Sequence, residues 1–140
     1  MTASHPALAQ GFASCVPRPQ GRPRWDSARR RTFTDAPTER AVAELAALLL
    51  ACTPRAPLSG PLLVTLTFCM PIPKKPLPEQ FEAAPHVFRP DVDNLSKLVL
   101  DVLSRLGWWA DDAQVSTLTA RKVYSARPGV HVRVDQDEGL

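Results

Sequence analysis

The sequence predicts an α+β fold: one mixed four-stranded sheet with two helices packed on one face, in the order β-α-β-α-β-β. Three observations carry this. Two stretches repeat apolar residues at helical spacing, one long segment between them alternates at strand spacing, and the C-terminal part reads as two strands joined by a Pro-Gly turn. A chain of 140 residues, 44% hydrophobic, is one domain's worth and holds material for one modest core.

Residues 1–10 read as a disordered lead-in, residues 11–134 as the domain and residues 135–140 as an acidic tail. Gly11 to Val16 is a short apolar strand, stopped by Pro17-Arg18-Pro19-Gln20-Gly21. A basic loop follows, from Gly21-Arg22-Pro23-Arg24-Trp25 through Arg29-Arg30-Arg31. Pro37 suits the first turn of a helix, Asp35 or Thr34 can cap it, and Glu39 places acid near its positive end. Ala41, Val42, Leu45, Leu48, Leu49 and Cys52 recur at helical spacing until Pro54 ends the run.

In Leu62 to Met70, Leu62, Val64, Leu66, Phe68 and Met70 share one strand face, and Leu63, Thr65, Thr67 and Cys69 the other. Both faces are fairly apolar, which predicts a central strand. Pro71 to Pro90 reads as an irregular proline-rich connection, long enough to be functional or mobile. The second helix, from about Asn94 to Leu106, carries the stripe Leu95, Leu98, Val99, Val102, Leu103 and Leu106, with Gly107 as its stop. Trp108 and Trp109 then read as a packing anchor more readily than as a base-stacking platform. Val115 to Tyr124 and Val130 to Val134 read as a hairpin.

Composition removes several classes. No apolar run reaches the roughly 20 residues of a membrane helix, and the N-terminus lacks the charged and apolar regions of a secretory signal, so a cytoplasmic protein is expected. Cys15, Cys52 and Cys69 are odd in number and far apart, which argues against a disulfide framework and a structural zinc site and for buried free thiols. His5, His86 and His131 are scattered without ligand spacing. The net charge is only +3, but seven arginines lie between Arg18 and Arg40 while the acids concentrate elsewhere. A basic arm beside an acidic cluster suits a polyanion-binding surface around a cation site; a solvated arginine-rich loop is the equal alternative.

Five aspartates fall between positions 91 and 112. Pro90 favours extended chain into Asp91, so Asp91 and Asp93 would project together, about 6–7 Å apart at their stems. Two carboxylates so placed can hold a hard divalent cation. Asp93 also stands where a helix N-cap belongs, and Asp93, Lys97 and Asp101 share one helical face, which equally describes a cap and a solvated charge ladder. The second group shifts the balance. The helix is only about 20 Å long, and a turn after Gly107 could bring Asp111 or Asp112 back alongside Asp93. A calcium loop starting at Asp91 fails, because Ser96 and Val102 stand where glycine and glutamate are needed.

Arg89-Pro90-Asp91-Val92-Asp93-Asn94-Leu95-Ser96-Lys97, followed by Gly107-Trp108-Trp109-Ala110-Asp111-Asp112-Ala113-Gln114-Val115, resembles the RusA family of Holliday junction resolvases, with its PDxDNLxK helix start and WxDDxQV turn. Lys122 and Gly21-Arg22-Pro23-Arg24 are similar to basic positions of that family. The likeness is close over positions 85 to 134 and loose over the first 60. It implies that Asp91, Asp93 and Asp112 are metal-binding catalytic carboxylates, that Lys97 is an essential lysine beside them, and that Asp111 assists. It also implies a homodimer that uses Mg²⁺, with Mn²⁺ as a stand-in, to cut four-way DNA junctions by paired symmetric nicks in recombination and repair. The proline-rich segment is longer than the family's compact members lead one to expect.

The implied chemistry matches what a phosphodiester needs: a metal ion to activate water and polarise phosphate, and Lys97 to neutralise developing charge or orient the attacking water. Arg22, Arg24, Lys74 and Lys75 are the candidates for backbone contacts to DNA. Two other classes stand beside this one. A junction-binding protein without catalysis would bind and not nick, and a DxD phosphotransfer enzyme would bind a nucleotide diphosphate, although no GxxxxGK[ST] loop is present.

Overall fold

The computed structural model describes residues 6–74 and 81–140. Strand β1 (Ala9–Ala13) leads into a two-stranded ribbon, β2 (Arg24–Asp26) and β3 (Arg31–Phe33). Helix α1 (Ala36–Leu49), strand β4 (Leu62–Pro71), helix α2 (Val92–Leu106) and strands β5 (Val115–Ser125) and β6 (Gly129–Gln136) complete the chain. The main sheet runs β1-β6-β4-β5, with β4 parallel to β5 and antiparallel to β6. It is the mixed four-stranded sheet with two helices that the periodicities predict.

The core explains the layering. Leu62, Val64, Leu66, Phe68 and Met70 of β4 are all buried, and Val64, Leu66 and Phe68 sit opposite Val134, Val132 and Val130 of β6. Leu45 and Leu49 of α1 and Leu95, Leu98, Val99, Val102 and Leu103 of α2 close over that face in one continuous cluster. Each such side chain, fully buried, contributes about 1.5–3 kcal/mol. Asp35 caps α1 by accepting from the Thr38 amide at 3.0 Å, as the sequence suggested. Helix α2 ends in a Schellman motif: Gly107 adopts φ 83°, its amide donates to the Ser104 carbonyl at 3.1 Å, and that of Trp108 to Leu103 at 3.0 Å. The chain leaves the helix there, with both indoles buried.

Several expectations need correction. The two C-terminal strands do not pair as a hairpin; β6 lies on the far side of β4 from β5, and the turn after Ser125 crosses the end of β4. Burial accounts for this, since Val130, Val132 and Val134 of β6 need a central place whereas residues 116–119 of β5 are exposed and suit an edge. The basic loop contains the β2–β3 ribbon. The first strand starts at Ala9 and ends at Ala13, β6 continues to Gln136, and the three cysteines are free but only half-buried. Helix α2 starts two residues early, so its N-cap is Asp91, with extended backbone, and Asp93 lies in the first turn. The two aspartates therefore do not alternate along extended chain.

Candidate active site

The approach to α2 is fixed from the sheet. Residues of the proline-rich connection line the outer edge of β5: the Ala83 amide donates to Tyr124 O at 2.8 Å, the Tyr124 amide to Ala84 O at 2.9 Å, and the His86 amide to Lys122 O at 3.1 Å. That part of the connection is ordered by pairing, not irregular. Lys122 then reaches from β5, its ammonium donating to the carbonyls of Phe88 at 2.6 Å and Pro90 at 2.8 Å. Asp91 follows directly. The His86 ring rests on Tyr124, with centroids 4.9 Å apart. Its burial, then the nearby Lys122 charge, lower its pKa and favour the neutral ring.

The exposed face of α2 presents Asp93 in its first turn and Lys97 one turn later, about 6 Å along the axis. The Asp93 carboxylate accepts from the Asn94 amide at 2.9 Å. Among the described residues Lys97 makes no ion pair, and Asp101 pairs with Arg105 at 3.0 Å instead. Among the described residues the charge ladder thus does not form.

The turn after the tryptophans separates the two neighbouring aspartates. Asp111 accepts from the Ala113 amide at 2.8 Å, while the Gln114 side-chain Oε1 accepts from the Asp111 amide at 3.0 Å, a reciprocal cap on the 3₁₀ turn Asp112–Gln114. Gln114 also donates to the carbonyls of Leu58 and Gly60, tying the turn to the start of β4. Asp112 faces the other way. Its Oδ1 accepts from the buried Trp109 indole at 2.9 Å, and it lines one cavity with Lys97, Asp101, Leu100, Val115 and Gln20. Asp91 and Asp93 are not among the lining residues.

The N-terminal basic loop docks on the same ground. The Gln20 amide donates to Asn94 O at 3.2 Å, and the Gly21 amide to the Thr38 hydroxyl at 2.9 Å. A Cβ on Gly21 would lie 2.7 Å from that hydroxyl, so the close approach requires glycine. Arg22 and Arg24 follow, exposed, with Arg24 held only loosely, 3.9 Å from Asp35. Lys74 is exposed beyond the end of β4, and Lys75 lies outside the described residues.

Residues 15–135 match the family described as Endodeoxyribonuclease RusA. The chain belongs to the RusA endodeoxyribonuclease family. It is also 30% identical, over 76 residues, to the crossover junction endodeoxyribonuclease rusA of Lactococcus phage r1t. That similarity covers 54% of this chain and 55% of the phage protein, so the chain spans about half the length of the curated relative it matches.

RusA nucleases are generally divalent-metal dependent. The donor chemistry fits such an ion, since aspartate oxygens are hard ligands. The number of donors brought together is smaller than the sequence suggested: among the described residues no group of three or more His, Cys, Asp or Glu is placed to hold a metal.

Sequence reasoning missed three supports of this candidate site. The Asp111-x-x-Gln114 spacing was readable as a capping box. The indole bond to Asp112 and the Lys122 strap depend on tertiary placement, and no local pattern announces them.

Proposed function

We propose that this chain is a divalent-metal-dependent, structure-selective endonuclease that resolves four-way DNA junctions by paired nicks, acting as a cytoplasmic homodimer in recombination and repair. The observation that supports it best is the meeting of Lys97 and Asp112, from two separate family motifs, in one cavity beside a docked basic loop. No helix among the described residues is long and apolar enough to cross a membrane.

Asp91, Asp93 and Asp112 are the proposed metal-binding carboxylates, with Mg²⁺ the proposed ion. A bound divalent ion would supply a water of lowered pKa and polarise the scissile phosphate. Lys97 would bind a non-bridging phosphate oxygen and stabilise the charge that grows there. Trp109 would keep one oxygen of Asp112 engaged so that the other faces the cavity. Asp111, spent on its cap and turned away, would act by shaping the turn. Arg22, Arg24, Lys74 and Lys75 are the proposed backbone contacts, which supply affinity and salt dependence without reading sequence.

The test is cleavage of a synthetic four-way junction, with linear duplex as control and magnesium set against chelator. Paired nicks on the junction alone, abolished by chelator, are expected. Asp93→Asn should cut at least about 100-fold more slowly, the scale on which lost charge stabilisation acts, while junction binding persists because a negative charge is gone. Normal cutting by that variant would remove Asp93 from the site. Junction binding without nicking in any divalent metal would favour the non-catalytic reading, for which the lack of a three-carboxylate group among the described residues of one chain speaks.

A further inference from the structure

The β2–β3 ribbon forms its own two-stranded sheet, separate from the four-stranded one. Between Arg22 and Phe33 it carries Arg22, Arg24, Arg29, Arg30 and Arg31 against Asp26 alone. Five of its six paired residues are exposed. Trp25, opposite Thr32, is 61% exposed, and Phe33, opposite Arg24, is 42% exposed. Strands of three residues are too short to hold such a ribbon by pairing alone. Among the described residues nothing covers the indole, which stands exposed among arginines.

One root of the ribbon is pinned at Gln20 to the start of α2 and at Gly21 to α1, and the other runs into Asp35, the cap of α1. Trp25 is four residues from Gly21, so its backbone lies within about 14 Å of that anchor. That is about four steps of a nucleic-acid strand at 3.4 Å each. DNA passing that anchor would come within a few nucleotides of the indole.

We propose that the Arg22–Phe33 ribbon is a DNA-binding arm whose Trp25 ring stacks on a base face exposed at a branch point. The arginines hold the phosphates on either side, and the indole covers a base that lacks a stacking neighbour. A continuous duplex hides every base face, so the same ring would first have to unstack a step. At a branch the terminal pairs of the arms have an open face, and stacking there needs no such disruption. The ribbon would favour branched over linear DNA without reading sequence. This rests on the junction-nuclease reading but is separable from it, because binding can be measured where no cutting occurs.

The experiment measures binding of the full chain, in chelator, to a four-way junction and to linear duplex. It compares wild type, Trp25→Ala and Trp25→Phe. Trp25→Ala should weaken junction binding about 10-fold, equivalent to about 1.4 kcal/mol, and change duplex binding less than about 2-fold. Trp25→Phe should retain most of the junction affinity, since a phenyl ring still stacks. Trp108 and Trp109 are buried, so iodide quenching reports on Trp25, and the junction should shield it where duplex does not. Unchanged junction binding by Trp25→Ala, or equal loss on both DNAs, would overturn the proposal. So would a sedimentation shift from dimer to monomer in that variant, which would make Trp25 a contact between copies. Should wild type bind junctions without cutting them, and Trp25→Ala lose that binding, the arm stands and the nuclease reading falls.

Discussion

Replacing Trp109 by phenylalanine tests whether one buried ring holds a carboxylate in its working position. Trp109 is 2% exposed, and its indole N–H donates to Asp112 Oδ1 at 2.9 Å. Phenylalanine keeps an aromatic ring in the core and deletes only that donor and part of the ring. Two costs follow. The lost ring area, some 40 Å² at about 25 cal/mol per Å², accounts for about 1 kcal/mol. A hydrogen bond to a charged group contributes about 1.5–3 kcal/mol in general; because Asp112 is exposed and water can replace the indole, the lower end applies. Trp109→Phe should therefore unfold about 2–3 kcal/mol more easily in a denaturant titration. If Asp112 must be reoriented at each turnover, about 1.4 kcal/mol of that reappears in the barrier, and junction cleavage slows about 10-fold. The loss should fall on kcat, with KM little changed, because Asp112 is not proposed to bind the DNA arms. Asp112→Asn should show the converse, near-normal stability with cleavage abolished. A destabilised Trp109→Phe that cuts at the wild-type rate would refute the orienting role of the indole.

Two further outcomes follow from contacts outside the cavity. Lys122→Met removes both donors from the loop before Asp91, and cleavage should fall about 10-fold, roughly the weight of one lost charged hydrogen bond, with junction affinity retained. Lys122→Arg should restore much of the rate, and a methionine variant with normal kcat would show that the strap is not needed. Asp137 accepts from the Ser116 and Thr117 hydroxyls at 2.6 Å each and from the Gly139 amide at 2.9 Å, which pushes its pKa from 3.8 down to about 2. The unfolded chain then takes up that proton first, so the stabilisation is whole above about 3.8 and disappears as pH falls to about 2. Urea midpoints of wild type and Asp137→Asn should differ at pH 7 and converge near pH 2; a constant difference across that window would contradict this.

Much of the fold was legible because its helices and central strand each bury a single continuous face. The leucine–valine stripe of α2 and the alternation in β4 are complete within their own segments, so period alone found them. The partner of β5 was not legible. A Pro-Gly turn between two strands suggests neighbours, yet β6 gains more by filling the slot between β1 and β4, a preference set by residues more than 60 positions away. The candidate site divides similarly. The likeness to the family singled out Asp91, Asp93, Lys97 and Asp112, with Asp111 assisting, whereas the separate contacts that Asp111 and Asp112 make needed the folded turn. How Asp112 stands to Asp91 and Asp93 was not legible, because the sequence gives the length of α2 but not the rotation of the returning turn about it.

The lysine that reaches across from β5 has a consequence for how this protein can diversify. Asp91 takes its position from contacts made downstream of Ala83, to a strand that belongs to the sheet. Insertions or substitutions between the end of β4 and Phe81 therefore leave the ties that hold the lead-in to Asp91 in register. Longer connections of this kind cost little closure entropy. Sequence change upstream of Ala83 is thereby uncoupled from the placement of the α2 N-terminus.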